Sequence, residues 1–568
     1  MSASNRDQTP GPSLVILPII LAATFMQLLD VSIVNVAIPS IQANLNASFA
    51  SVELVVAGYQ LTFAVTLITA SRLGDIYGRK KFFLIGMFGF TIASIICGAA
   101  PNATVLVVSR LVQGFFSGLM FPQVLSIIQI TYPPQQRSKV FGIYGTTIGL
   151  ATVTGPLVGG LLIKANLAHL DWRLIFYVNV PVGILAFAGG IRKLTESKEN
   201  ANAKLDLVGS GLITIGLGFL VYPLVEGREL AWPLWLKVML LASIFVLVLF
   251  FYSQSWAERN AKLPLINMGL LRSGNFVLGL VLFLVFFLGV APFFFALSIF
   301  LQEGNGFTPL VSGLTSSPFA LGAAVTSALT SRIKGQHAKT MMMVGSALLS
   351  LSMVLLILLL GNFSGQVSGY SLIPAMVAAG VGFGLFVGPA SSLLMSRVQS
   401  RDAGSASGTI STFQQVGGAL GVALISFIFF SLLTYNSGSA ARSVIPSVTH
   451  KLQALSIPQS FISEGESAFI TCIGDRAAEK DPTKLPQSCL IIGGAIEQAP
   501  ISASLKSKLI SLFLSAGNSA AEHDFLSSLR EALVYEIAVF SIAFLLSSKI
   551  RGWPSEREFE DSAVVFET

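Results

Sequence analysis

Runs of about 20 predominantly apolar residues recur along most of this chain, and they constrain its fold more than any other feature. A helix needs about 20 such residues to cross the hydrocarbon core of a bilayer. Of the 568 residues, 53% are hydrophobic and only 11% are charged, whereas soluble proteins carry about 25% charged residues. Water cannot solvate that much apolar surface, so the pattern predicts an all-α membrane protein.

Charged residues and Gly/Pro clusters divide the chain into fourteen predicted spans. The spans lie near residues 14–38, 52–70, 82–100, 104–130, 140–163, 174–191, 206–225, 234–253, 276–301, 311–330, 341–361, 370–395, 404–435 and 532–549.

Lys and Arg predict the orientation of these spans. With the N-terminus in the cytoplasm, the cytoplasmic loops and tails carry 22 basic residues and the short external loops carry 4. Basic residues accumulate in cytoplasmic loops. Both termini are therefore predicted to be cytoplasmic.

The segment 436–530 is the only long stretch between spans, and it is predicted to form a helical cap outside the cell. Helical stretches are expected around 447–457, ended by Pro458, and around 501–514. Cys472 and Cys489 lie in this segment. On an oxidising side of the membrane they are expected to form a disulfide.

An acid and a base lie well inside predicted spans, at matching depth. Asp30 lies about eight residues before the outer end of helix 1, which Pro39 marks, and Arg110 lies about six residues into helix 4. At 1.5 Å per residue both are roughly 9–12 Å below the external surface. A charge inside the bilayer is costly and usually functional. We predict that the two pair and exchange protons; a static ion pair, or an Arg110 that extends to the surface, is the alternative.

A basic turn follows helix 2, and a glycine-rich stretch lies in helix 5. The turn has Gly and Asp between bases and is either a gate or an ordinary cytoplasmic loop; its candidate gating residues are Arg72, Gly74, Asp75, Gly78, Arg79 and Lys80. The glycine-rich stretch is either a packing kink or a hinge. Its candidate hinge residues are Gly149, Gly155, Pro156, Gly159 and Gly160.

These segments together resemble the fourteen-helix drug/proton antiporter branch of the major facilitator superfamily. The match covers about residues 14–435 plus the last helix. It rests on LDVSIVNVAIP from Leu29, RLGDIYGRKK from Arg72, RLVQG from Arg110, the stretch Gly149–Gly160, WRLIFYVNVP from Trp172 and QQVGGALG from Gln414.

The resemblance implies two six-helix bundles with two added helices and a central binding cavity between the bundles. Residues 14–191 would form the first bundle, 192–253 the two added helices, and 254–435 with 531–550 the second bundle, with cytoplasmic tails at 1–13 and 551–568. The resemblance also implies that the basic turn gates the inner side and that Arg110 takes part in proton transfer.

Apolar and aromatic residues with a few polar groups are expected to line the cavity. Candidate substrate-binding residues are Gln27, Asn35, Tyr59, Gln60, Gln113, Phe293 and Phe294. Aromatic faces attract organic cations, although a Phe stripe also serves for plain packing. The sequence departs from the branch in three places: Ser71 begins the turn motif, Leu54 stands beside Glu53 where a Trp is common at the start of helix 2, and helices 10 and 13 lack the acidic residues of some multidrug members. Glu536, early in helix 14, and Glu303, at the end of helix 9, are the remaining carboxylates to consider.

The chain contains none of the enzyme signatures H-E-x-x-H, G-x-S-x-G or G-x-x-x-x-G-K-[ST]. No enzyme activity, cofactor, metal or nucleic-acid partner is expected. The sequence predicts a monomeric, proton-driven exporter of lipophilic, cationic drugs in the inner membrane of a bacterium. Its alternatives are an exporter of one endogenous antibiotic, lipid or siderophore, and a transporter-like receptor or scaffold.

Overall fold

The computed structural model describes residues 16–552, except 133, 199–205, 228–229, 261–264, 267, 331–332, 334, 362–366, 396–397, 399–402, 456, 480–484 and 500. The predicted tail 1–13, and 551–568 apart from its first two residues, lie outside the described residues. The α-helices are α1 (Ile16–Leu45), α2 (Phe49–Tyr77), α3 (Arg79–Gly98), α4 (Ala103–Thr131), α5 (Pro134–Ala165), α6 (Leu174–Tyr177), α7 (Asn179–Lys193), α8 (Leu207–Glu226), α9 (Leu234–Arg259), α10 (Met268–Arg272), α11 (Gly274–Ile299), α12 (Pro309–Thr330), α13 (Ala338–Gly361), α14 (Ile373–Met395), α15 (Ala403–Ala454), α16 (Gln459–Ala478), α17 (Gln487–Gln498) and α18 (Ala503–Lys549).

The described part of the chain is nearly all helical, as predicted. Eleven of its helical segments are long and apolar enough to cross a membrane. The other three predicted spans correspond to α5, α12 and the second half of α18. The count of fourteen spans therefore stays a prediction, while the all-helical membrane fold is confirmed.

The cap differs from its predicted outline because two helices of the bundle continue into it. Helix α15 was expected to end near residue 435 but runs on to Ala454, and α18 begins at Ala503 rather than near residue 532. Both extensions bury apolar residues against α16, so the helices gain tertiary contacts beyond the predicted spans. The cap has its own core, formed by Ala441, Val448, Leu452, Ile462, Phe469, Ile473, Leu509, Leu512, Ala516 and Ala520.

The two predicted halves touch through α5 and α12 at the end of the bundle that carries the cap, here termed the cap side. A Cβ atom on Gly313 would lie 2.3 Å from the carbonyl oxygen of Pro156, and one on Gly160 would lie 2.6 Å from Cα of Leu310. Only glycine allows backbones to approach so closely. These two glycines therefore permit the halves to meet.

Helix α1 forms a second contact between the halves with α11 and with the π-helical turn Phe300–Gly304 that continues α11. The hydroxyl of Ser298 donates to the carbonyl oxygen of Asn35 at 2.6 Å, and Nε2 of Gln302 donates to the carbonyl oxygen of Val36 at 3.0 Å. Both acceptors lie in the turns before Pro39, which removes one hydrogen bond from α1. The structure is thus closed at these points on the cap side.

Candidate functional site

Asp30 and Arg110 form an ion pair in the interior of the first half. Asp30 comes from α1 and Arg110 from α4, and their side chains are 0% and 1% exposed. Nη1 of Arg110 donates to Oδ2 of Asp30. Nε of Arg110 donates to the carbonyl oxygen of Val55 at 3.0 Å. The two charged groups are therefore removed from water. The bond to Val55 fixes the orientation of the guanidinium, in addition to the attraction between the charges.

Two amide side chains complete the shell of the Asp30 carboxylate. Nε2 of Gln113 and Nδ2 of Asn179 donate to Oδ1 of Asp30 at 2.9 and 3.1 Å. The same two nitrogens each lie 3.1 Å from the hydroxyl of Ser94, which donates to the carbonyl oxygen of Phe176. In this conformation the Asp30 carboxylate is enclosed by donors to both of its oxygens.

Aromatic rings cover the guanidinium of Arg110. Its Cζ lies 4.1 Å from the ring centroid of Tyr59 and 5.7 Å from that of Phe176. The Tyr59 hydroxyl donates to Ser117 at 2.9 Å. A Cβ on Gly114 would lie 2.4 Å from the Tyr59 carbonyl oxygen. The polar face of α4 that was expected to line a cavity is therefore packed against α2, because its small residues let the two helices approach.

The predicted polar substrate-binding residues separate into two groups. Tyr59 and Gln113 belong to the Asp30 network described above. Oε1 of Gln27, Oε1 of Gln60 and Oδ1 of Asn35 are buried polar atoms with no hydrogen-bond partner among the described residues. Buried polar atoms are normally paired, so these three acceptors are exceptions, and their role in substrate binding remains a prediction.

Phe293 and Phe294 belong to an aromatic cluster in the second half. Their ring centroids are 5.2 Å apart, and Phe294 packs edge-on against Phe319 at 4.8 Å. About two turns earlier in α11, Phe286 stacks on Phe386, with ring centroids 3.6 Å apart. These contacts join α11 to α12 and α14, so packing accounts for much of the Phe stripe.

The basic turn between α2 and α3 is capped by a residue that the sequence did not single out. Gly78 has φ +121°, a value that favours glycine. The Glu196 carboxylate accepts hydrogen bonds from the backbone amides of Lys80 and Lys81 at 3.1 and 3.2 Å. Nζ of Lys80 donates to the carbonyl oxygen of Ile191 at 2.9 Å. An anion at a helix N-terminus is stabilising, so Glu196 fixes the start of α3. The sequence contained one signal for Glu196, which is an acidic residue that follows a predicted span closely and lies among basic residues.

The other predicted gating residues occupy the end of α2 and the start of α3. Gly74 packs on Gln123 of α4, whose Oε1 would lie 2.0 Å from an added Cβ. Arg79 is buried and Arg72 half-buried. The side chain of Asp75 lies outside the described part, so its gating role remains a prediction.

The glycines of α5 pack against the helix that carries Asp30. A Cβ on Gly155 would meet the hydroxyl of Ser32, and one on Gly159 would lie 2.8 Å from Cγ1 of Ile33. Movement of α5 must therefore displace α1 just beyond Asp30. The packing around Gly149 lies outside the described part of the helix.

Cys472 and Cys489 form a disulfide within the cap, with their Cα atoms 4.7 Å apart. Cys97 is a buried free thiol. Among the described residues no three His, Cys, Asp or Glu side chains are grouped as metal ligands.

A helical membrane bundle in two halves, with a buried ion pair in one of them, has the architecture of a secondary transporter. The family model "Major Facilitator Superfamily" matches residues 20–422. The chain belongs to the major facilitator superfamily, which confirms the resemblance derived from its motifs.

Relatives in this superfamily include efflux and resistance proteins. A probable actinorhodin transporter of Streptomyces coelicolor is 34% identical over 95% of this chain and 92% of its own length. The puromycin resistance protein of Streptomyces alboniger is 35% identical over 72% and 81%. The multidrug resistance protein Stp of Mycobacterium tuberculosis is 31% identical over 72% and 74%.

Solved structures show the same fold at low identity. An inward-facing, unoccupied bacterial homologue of the human lysosomal transporter Spinster aligns with TM-score 0.55 and 16% identity, over 96% of this chain and all of that one. A transporter of the POT family, bound to a thioalcohol-conjugated peptide, aligns with TM-score 0.57 and 15% identity, over 74% and 90%. This similarity extends to the fold alone.

Proposed function

We propose that this protein is a proton-coupled antiporter that exports lipophilic, cationic drugs across the inner membrane of a bacterium. It works as a monomer with both termini in the cytoplasm. The observation that carries the proposal is the buried network around Asp30 and Arg110. A scaffold would not need an ion pair that costs several kcal/mol to remove from water.

In the proposed mechanism Asp30 carries the proton and Arg110 controls its release. Protonation of Asp30 removes the charge that Arg110 neutralises and weakens the attraction between α1 and α4. Renewed contact with Arg110, Gln113 and Asn179 then expels the proton. A cationic substrate competes for the same carboxylate, which makes proton uptake and substrate release alternate.

The rest of the first half would transmit this change to the interface between the halves. Gly155 and Gly159 connect α1 to α5, and Gly160 connects α5 to α12. The unpaired acceptors of Gln27 and Gln60 would bind the polar groups of the substrate. The capped turn after α2 would close the opposite side.

The names of the relatives support export of antibiotics, and one comparison favours a second candidate, the dedicated export of a single metabolite. The relative named for actinorhodin aligns over 95% of this chain, whereas the puromycin and multidrug relatives align over 72%. Alignment over 95% must include most of the segment 436–530. A shared cap is consistent with a shared substrate class.

Efflux from proteoliposomes under an imposed pH gradient tests the proposal. Asp30→Asn should abolish proton-driven efflux and keep downhill substrate exchange. Arg110→Ala should be severely impaired and Arg110→Lys less so, because Lys retains the charge but not the planar fork. Glu258→Gln, which alters an ion pair with the exposed Arg272, is the control. Full pumping by Asp30→Asn would place the proton carrier elsewhere; no proton movement in the wild type with any substrate would favour a receptor or scaffold.

A further inference from the structure

Glu536 is another buried carboxylate, and no ion-pair partner for it is found among the described residues. It lies on α18 within the last predicted span and is 1% exposed. Neither of its carboxyl oxygens has a hydrogen-bond partner among the described residues. An unpaired ionised carboxylate in such a place costs several kcal/mol. Glu536 is therefore neutral, with a bound proton, in this conformation.

The carboxyl group faces an interruption in α11. A Cβ on Gly289 would lie 2.7 Å from Oε2 of Glu536, so the absence of a side chain there makes room for the acid. Pro292 has no N–H to donate to the carbonyl oxygen of Leu288, four residues earlier. The Tyr535 hydroxyl donates to that oxygen at 3.0 Å. Tyr535 and Glu536 thus both engage α11 where its hydrogen-bond ladder is broken.

The helices packed around Glu536 offer it no fixed counter-ion. Helix α11 contains no ionisable side chain at all, and the first 32 residues of α15 contain none. Helix α13 has only Lys339, at its far end. On α18 itself Arg530 and Glu531 are exposed, and Tyr535 is the adjacent ionisable group. A static structural ion pair, which is one ordinary use of a buried acid, is excluded for the described residues.

Helix α11 also connects this site to the contact between the halves. The residues Ser298 and Gln302, after Pro292, bind backbone carbonyls of α1 on the cap side. Separation of α1 from α11 frees the cap-side end of α11 to move about Pro292. That movement would admit water or a cation to Glu536 and release its proton.

We propose that Glu536 is a second proton-binding site of this carrier, loaded in the present conformation and emptied when α11 moves about Pro292. The ligand is a proton bound by the second half, in addition to the one on Asp30. The transport role of this site rests on the proposed function. Proton binding itself does not, so the two can be tested separately.

Carbodiimide labelling tests binding directly, because these reagents modify protonated carboxyls in apolar surroundings. Purified full-length protein in nanodiscs is treated from about pH 5 to pH 9, and modified peptides are quantified by mass spectrometry. Glu536 should be labelled at low pH, and labelling should fall at least fivefold as pH rises. Glu536→Gln should lose this modification. Glu531→Gln, the same change on an exposed residue of the same helix, should retain it.

Two results would overturn the proposal. No labelling of Glu536 at any pH would show that the acid is not protonated in the membrane. Labelling that is the same at every pH, with and without substrate, would show a permanently neutral structural acid. Gly289→Ala provides a second probe, because a methyl group against Oε2 should change the extent of labelling at least twofold without removing the acid.

The number of protons per substrate tests the transport role. It is obtained in proteoliposomes from the membrane potential and pH gradient that just prevent net efflux. Glu536→Gln should still pump but with one proton fewer per cycle than the wild type, and Glu531→Gln should match the wild type. An unchanged ratio in Glu536→Gln would refute the second coupled proton. A wild type that shows no proton-driven efflux would refute the proposed function and leave the labelling result standing.

Discussion

The carboxylate of Glu196 accepts a hydrogen bond from the backbone amide of Lys80 at 3.1 Å and so connects the segment after α7 to the first turn of α3. We expect Glu196→Gln to weaken this cap by about 1 kcal/mol, because the charge that opposes the helix dipole is lost. Efflux should fall two- to fivefold with the affinity for substrate unchanged. Equilibrium binding and transport measured on one preparation test this prediction. A loss of binding equal to the loss of transport would contradict a gating role; Glu258→Gln again serves as the control.

Gly313→Ala should prevent the halves from closing on the cap side. The added methyl group would lie 2.3 Å from the Pro156 carbonyl oxygen, a distance that backbone atoms cannot accommodate without moving apart. Efflux should fall at least tenfold. A cysteine introduced at Ser298 should react faster with a membrane-impermeant maleimide in this variant than in the parent. Gly211→Ala is the matched control, since nothing lies within 4 Å of its added Cβ. Equal reaction rates in Gly313→Ala and its parent would show that the contact between α5 and α12 does not control closure of the cap side.

Asn179→Ala should impair proton coupling without removing either charge. The substitution deletes one of the donors to the Asp30 carboxylate, at 3.1 Å, and a hydrogen bond to a charged group contributes about 1.5–3 kcal/mol. Because the carboxylate loses a donor, proton-driven efflux should fall at least fivefold in proteoliposomes with an imposed pH gradient. Downhill exchange of substrate should be preserved. Undiminished proton-driven efflux in Asn179→Ala would show that the amide has no influence on the proton site.

Removal of the disulfide should destabilise the cap. The two cysteines are separated by 17 residues in sequence. Closing a loop of this length stabilises the folded state by roughly 3 kcal/mol in the chain-entropy model. The double variant Cys472→Ser, Cys489→Ser should unfold at lower temperature. Thiol labelling of denatured protein should modify Cys97 alone before reduction and all three cysteines afterwards. Three modified cysteines before reduction would show that the bond is absent.

The stability of the cap should decrease as pH rises from about 4 to about 7. Burial raises the pKa of Asp524 from its ordinary value of 3.8 to about 7. The folded protein thus binds this proton more tightly than the unfolded chain, and the stabilisation is lost as the folded group ionises. Asp524→Asn should flatten the profile and raise the free energy of unfolding above pH 7 by roughly 2–4 kcal/mol. Melting temperatures across this range test it. Asp475→Asn, an exposed site in α16, should leave the slope unchanged, and an unchanged slope in Asp524→Asn would refute the assignment.

The sequence predicts those features of the site that depend on spacing along one helix. Asp30 and Arg110 were paired from their depth in α1 and α4, because rise per residue converts position into depth. Asn179 and Ser94 were missed as partners because they come from helices whose rotation about their own axes is set by tertiary packing. The same limitation applies to Gln113, whose hydrogen bond to Asp30 was not predicted; its contact with substrate stays a prediction. The continuation of α15 beyond residue 435 could not be predicted from apolar runs, because its residues there are mixed in polarity and are buried only by α16 and α18.

The unbroken passage of α15 and α18 from the bundle into the cap has a mechanical consequence. At 1.5 Å per residue, the 47 residues of α18 extend about 70 Å, and both helices pack with α11 in the second half. Any tilt of that half therefore appears, amplified by distance, at the tip of the cap. A tilt of about 10° acting over half of that length displaces the tip by about 6 Å. A fluorescent pair placed on the cap and on the loop before α2 would report each turnover from outside the membrane. A binding protein that contacts both the cap and that loop, and so fixes the distance between them, would stop the transport cycle without entering the transport pathway.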